Sequence, residues 1–389
     1  MVKKKRFDMV FYTYLVCLYP LLSMYSFWNS SFSYADVLSF IFLFVMILNR
    51  PKIQLKVSFL IILGLIITHF IFLCMFYDNI QISQMFGSTF RLLLIYFLIS
   101  IKNHYFESEK GIKIFIVVSI IATIYLIIQY IMSKFGVYLS GGIPGLNILR
   151  ENVYSYINDV TKYDLVYRAR SIFEEPAHYC QYIVVAINLL LYKCEYNKKN
   201  ILITLFLIFG VILSMSLLGW ALTIISLIVW LSSKRVKHYK KLIILLLIIL
   251  SPILFVFFTN SSYVKNVYIR KFVDQSILED DRFSSFGQVL KGKTFSEIIF
   301  GHGLIKTETY INGIPRIIYT YGLLGLLIII LLYLLYLRKT KNSEISKALL
   351  FLLAVLTFSS EIIFGKYLVT YLIFCEPKKR IDLKKGDLT

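Results

Sequence analysis

The run Arg168-Ala169-Arg170-Ser171-Ile172-Phe173-Glu174-Glu175-Pro176 sets two guanidinium groups just ahead of a carboxylate pair and a proline. A guanidinium presents a planar fork of donors matched to oxyanions and stays charged, so two of them can hold an anion. A carboxylate or an imidazole can take a proton. The plainer reading of Glu174 and Glu175 is as the charged start of a helix, with proline at its first turn and the acids at its positive end. That accounts for the glutamates and leaves Arg168 and Arg170 unexplained. A second reactive group stands in Phe300-Gly301-His302-Gly303-Leu304, where glycine on both sides lets the backbone turn sharply and leaves the imidazole exposed. Arg270, Arg282, Asn312 and Arg316 fall in or beside the same stretch. Arg91 stands alone inside an apolar run, where an ionisable residue is costly and is either functional or held in an interhelical pair.

What must position these groups is a set of membrane spans. The chain has 389 residues, 58% of them hydrophobic, and a mean hydropathy of +0.73. A helix crosses a hydrocarbon core in about 20 residues. Apolar runs of that kind are read at 7–25, 35–48, 57–77, 86–101, 112–132, 177–192, 201–214, 217–231, 242–258, 315–337, 347–360 and 362–375. The fold class is therefore an all-α polytopic membrane protein of about twelve transmembrane helices with two large loops. The parts are helices 1–5 in 1–132, a first loop 133–176, helices 6–9 in 177–258, a second loop 259–314, helices 10–12 in 315–375 and a basic tail 376–389.

Orientation follows from the basic residues. If the spans alternate, the N-terminal Lys3-Lys4-Lys5-Arg6, the segments 49–56, 102–113, 193–199, 232–241 and 338–347, and the tail share one side. That side carries 27 of the 42 basic residues but, counting Asp8, only 8 of the 22 acidic ones. Both termini are thus expected in the cytoplasm and both long loops outside it. The net charge of +20 does not point to nucleic acid, because the excess sits in short connections beside span ends. Cys17, Cys74, Cys180, Cys194 and Cys375 are odd in number, scattered and absent from both loops, which argues against a disulfide framework or a zinc site.

The first loop has five basic and five acidic residues, so net attraction is not its purpose. In the second, Tyr263, Val264, Val267, Tyr268 and Phe272 form one helical stripe and Phe283, Phe286, Val289 and Leu290 another, suited to lying on a membrane surface. Gly322 and Gly325 lie three apart in the span 315–337, the spacing of close helix packing. Glu361 marks the outer turn of the last hairpin.

Taken together these pieces resemble the O-antigen polymerase and ligase superfamily, with the Wzy-type polysaccharide polymerases the closer likeness. Four elements carry it: Arg170 through Pro176 at the end of the first loop, Leu213-Ser214-Met215-Ser216-Leu217 in a hairpin turn, Phe300-Gly301-His302-Gly303, and Asn312 followed by Gly322 and Gly325. Ile311 stands where the ligase motif has histidine, which leaves His302 as the second loop's only histidine.

The resemblance implies a metal-independent, GT-C-like glycosyltransferase without cofactor in a bacterial cytoplasmic membrane. Its substrate would be an undecaprenyl-diphosphate-linked oligosaccharide, joined at the outer face to another lipid-linked repeat unit. Membrane lipid, a flippase and a chain-length regulator would be its partners. Arg170 and Arg282 are then expected to stabilise the departing diphosphate, with Arg91, Arg168, Arg270, Arg316 and Asn312 contacting substrate. His302 and Glu175 are rival general bases for the acceptor hydroxyl. Two other readings stand beside this one: ligation of finished glycan to its acceptor, and a flippase or other transporter. Transporters carry charged or helix-breaking residues at the midplane. The spans here read as nearly clean apart from Arg91, which favours an enzyme.

Overall fold

A computed structural model of the chain describes residues 2–28, 32–49, 57–76, 82–148, 167–194, 197–232, 294–303, 313–340, 343–360 and 362–375. Among the described residues the protein is all-α, without strands, and its helices suit a membrane-embedded protein. They are α1 (Val2–Leu22), α2 (Tyr34–Asn49), α3 (Val57–Phe76), α4 (Ile82–Tyr105), α5 (Ser108–Lys134), α6 (Pro176–Tyr192), α7 (Lys198–Leu213) and α8 (Leu217–Leu231). Then follow α9 (Phe295–Phe300), α10 (Gly313–Thr340), α11 (Glu344–Ser359), a 3-10 turn (Ile362–Phe364) and α12 (Leu368–Ile373). Segments of α4, α5 and α10 are long and apolar enough to cross a membrane; α1, α2, α3 and α8 contain shorter apolar stretches. The expected span 242–258, both amphipathic stripes, Glu361 and the tail lie outside the described residues.

The helix starts follow local chemistry. Ser33 and Asp36 form a reciprocal cap on α2: the Asp36 amide donates to Ser33 Oγ at 3.1 Å, and the Ser33 amide donates to Asp36 Oδ2 at 2.9 Å. Asn197, Ser216 and Ser343 cap α7, α8 and α11. Thr294 and Glu297 form a full capping box on the six-residue α9.

Helix α6 is the axis of the bundle. It packs against α5, α7, α8, α11 and α12, and from Tyr179 to Tyr192 each residue is buried. A helix apolar all round belongs in such a place. Its polar tips still find partners: Tyr179 Oη and Thr123 Oγ1 of α5 are 2.8 Å apart, and Tyr182 Oη donates to the Cys17 carbonyl of α1 at 3.0 Å.

Two expectations change. The run 362–375 is not a full span: it is a 3-10 turn followed by a six-residue helix, which rises only about 9 Å. This stretch is buried nonetheless, and its last carbonyls, Leu372 and Cys375, accept from the buried ammonium of Lys102. The second change concerns Gly322, which is not a helix-packing glycine. With φ 61° and ψ −158° it breaks α10, and a Cβ there would meet the Ile299 carbonyl and the Gly301 amide. Only glycine accepts both that dihedral and that approach.

Candidate functional site

The end of the first loop is sunk into the bundle. Ser171 Oγ donates to the carbonyl of Ala122, and Gln129 Oε1 accepts from the amides of Arg170 (3.2 Å) and Ser171 (2.7 Å). Gln129 Nε2 in turn donates to Ser140 and Ser171 carbonyls at 3.0 and 3.3 Å. Ala122 lies twelve residues from the Lys134 end of α5, about 18 Å along a helix of about 40 Å. Ser171 therefore reaches near half the length of α5, and Arg170 is held at Gln129, five residues or about 8 Å from the same end. Tyr25 ties the two ends of the loop together, donating to the Ile172 carbonyl at 2.7 Å and accepting from the Ile143 amide at 2.8 Å.

Arg168 reaches across to the α7–α8 turn, where its Nη2 donates to the Met215 carbonyl at 3.1 Å. Met215 and Ser171 are both non-glycine residues at positive φ, 52° and 58°. Such backbone is sparsely populated and persists only where its surroundings hold it. Thus two elements far apart in sequence, the arginine run and the Ser214-Met215-Ser216 turn, form one wall.

Glu175 occupies the N-cap position of α6 and Pro176 its first turn, but the Glu175 side chain makes no capping bond and is exposed. Glu174 is the engaged carboxylate. Its Oε2 lies 3.1 Å from Lys366 Nζ and 3.4 Å from His178 Nδ1, and its backbone carbonyl accepts from Arg170 Nη1 at 3.1 Å. The His178 ring stacks on Tyr367 with centroids 5.2 Å apart. Lys366 follows the 3-10 turn, which carries its ammonium to the start of α6.

His302 forms a second centre. Its Nε2 is 3.0 Å from Glu297 Oε1, its ring stacks on Tyr319 at 4.9 Å, and its amide donates to the Tyr319 carbonyl at 2.7 Å. The Gly303 amide donates to the Thr320 carbonyl at 3.0 Å, so Gly301-His302-Gly303 lies along the broken turn of α10. His69 of α3 clasps this junction, donating through Nε2 to the Phe300 carbonyl at 2.8 Å. The two centres share a support: Tyr321, two residues beyond Tyr319, stacks on Phe364, two residues before Lys366, at 4.0 Å.

Of the residues singled out from sequence, Arg168, Arg170 and Glu174 come together, with Glu175 alongside. His302 stands at the second centre, and Arg316 lies one helical turn before its stacking partner Tyr319 in α10. Arg91 belongs to a different place. It makes a forked contact with Asp36, Nη2 to Oδ2 at 2.9 Å and Nε to Oδ1 and Oδ2 at 3.2 and 3.1 Å. Arg270, Arg282 and Asn312 lie outside the described residues. Sequence reading missed Gln129, His178, Lys366, Glu297 and His69. His69 and Asp36 were visible as ionisable residues inside apolar runs, and His178 as the next charge-bearing group after the proline. Compared with known protein families and with curated proteins, this chain matches no family model and no curated sequence.

Proposed function

We propose that the protein is an oligosaccharide repeat-unit polymerase working at the outer face of a bacterial cytoplasmic membrane. The observation that supports this most is the meeting of Arg170 and Lys366 at Glu174, with Arg168 two residues before Arg170, and the aromatic stack of Phe364 on Tyr321 that links this cluster to the imidazole–carboxylate pair of His302 and Glu297. Transfer from a glycan diphosphate asks for cations at the departing group and a base at the attacking hydroxyl. The acceptor oxygen bonds to the anomeric carbon as the carbon–oxygen bond to phosphate breaks; the electron pair leaves with the diphosphate and the hydroxyl proton passes to His302. Glu297 orients the imidazole and stabilises the imidazolium. Fixed cations in a recess of low dielectric stabilise a developing oxyanion more than the same charges would in water.

The decisive experiment supplies the purified protein with lipid-linked repeat units and looks for a ladder of longer glycans. Transfer of a preformed long glycan to a different acceptor, without a ladder, would replace polymerisation by ligation. Transport has two observations in its favour: the break of α10 at Gly322 and the short buried α12, discontinuities of the kind transporters place around a site. Movement of lipid-linked glycan across vesicles without elongation would establish it.

A further inference from the structure

We propose that Lys366 is a third cation of the diphosphate site, paired with Glu174 as a counter-ion that substrate displaces; this rests on the polymerase reading above. Three groups converge on Glu174 from three elements: Arg170 from the loop end, His178 from α6 and Lys366 from the segment after the 3-10 turn. The carboxylate is only 11% exposed, so it needs cationic company, while the Lys366 and His178 side chains keep 19% and 23% of their surface open. The cluster is reachable but not on the protein surface. Arg170 is committed through Nη1 to a carbonyl, and Arg168 through Nη2 to another on the opposite turn. Their planar forks set direction and are not free to follow a moving phosphate.

Lysine is the complementary device. Its ammonium is a point charge on a flexible stem, with three donors and no preferred plane. Seated against Glu174, with Tyr367 5.9 Å away beneath it, Lys366 can exchange one oxyanion for another by side-chain rotation alone. The glycan-linked diphosphate carries two negative charges and gains a third as the glycosyl bond breaks, more than two guanidiniums neutralise, so the exchange gains attraction at the departing group. When this happens, a proton taken up by His178, whose Nδ1 lies 3.4 Å from the same oxygen, supplies Glu174 with a replacement charge. In this arrangement Glu174 competes with substrate for Lys366, and the two residues have opposite effects on affinity.

That opposition is the test. The full-length protein in detergent or nanodiscs is titrated with a short polyprenyl diphosphate, using the corresponding monophosphate for comparison. Lys366→Met is expected to weaken diphosphate binding at least tenfold and monophosphate binding less. Lys366→Arg, which keeps the charge but not the flexible point charge, should lose less than Lys366→Met. Glu174→Gln should bind diphosphate at least threefold more tightly, because the competing charge is gone. A purely structural ion pair predicts instead that both neutral variants lose affinity together. Unchanged affinity in Lys366→Met, or no gain in Glu174→Gln, overturns the proposal, and the second result decides alone if Lys366→Met does not fold. Failure of the parent protein to bind any polyprenyl diphosphate would bring down the polymerase reading itself.

Discussion

His302 and Tyr319 are coupled twice, ring on ring at 4.9 Å and amide to carbonyl at 2.7 Å, across a helix break that Gly322 makes possible. The imidazole is therefore placed by α10 together with Glu297 of α9. Gly322→Ala would force a side chain into positive φ and against the Ile299 carbonyl. The dihedral alone costs about 1–3 kcal/mol. The expected result is a lower melting temperature and at least a tenfold loss of polymer formation. Gly64→Ala in α3, where a Cβ meets nothing within 4 Å, should leave both intact.

The Arg91–Asp36 pair predicts a different outcome. Its geometry is that of an interhelical tie: Asp36 caps α2 while its carboxylate receives the guanidinium of α4. Removing one partner leaves the other charge uncompensated, so Arg91→Gln and Asp36→Asn should each lower stability. The double variant should lose less than the sum, with a coupling of roughly 0.5–3 kcal/mol. Turnover per folded molecule should persist. Lost turnover in an Arg91→Gln protein of normal stability would instead assign Arg91 to substrate.

Arg168 and Arg170 are expected not to tolerate lysine. Each is positioned by a specific carbonyl, and an ammonium cannot reproduce a planar fork at the same site. Arg→Lys at either position, and at Arg282 on the sequence argument, should cost at least tenfold in elongation rate with expression unchanged. Full activity from a lysine variant would remove that residue from the phosphate site.

Orientation can be read directly. In a chain whose native cysteines are replaced, a cysteine at exposed Val137 should react with an impermeant thiol reagent added to intact cells, and one at exposed Lys198 should not. The reverse pattern would invert the topology inferred from the basic residues.

How far the sequence speaks for the fold differs from element to element. The ends of the runs 112–132, 177–192 and 217–231 lie at most four residues from those of α5, α6 and α8, because long apolar runs with clear ends leave little choice. The run 362–375 is equally apolar yet forms only a turn and α12, since burial among other helices, not length, is what its composition satisfies. The arginine–glutamate run was legible as chemistry but not as depth. Its immersion depends on contacts made far along the chain, to Gln129 and Ala122 of α5 and to Tyr25. The Glu174–Lys366 contact joins positions nearly two hundred residues apart, and no local spacing encodes it. Gly322 shows the limit of motif reading, because a pair of glycines three apart fits close packing and helix breaking equally well until the neighbouring carbonyls are placed.

The last prediction concerns the proton. His302 is backed by Glu297 at 3.0 Å, while Glu175 is an exposed carboxylate at the N-cap of α6. A base acts in the transition state, so its loss should lower kcat while the affinity for lipid-linked substrate holds. His302→Ala is expected to do this by a factor of 10²–10⁴, the usual worth of a positioned base. Glu297→Gln should lose less, because it weakens the orientation and charge of the imidazole without removing it. Glu175→Gln should keep substantial activity. If His302→Ala makes near-normal polymer while Glu175→Gln does not, the roles are exchanged, and the stack on Tyr319 then serves only to hold the broken turn of α10.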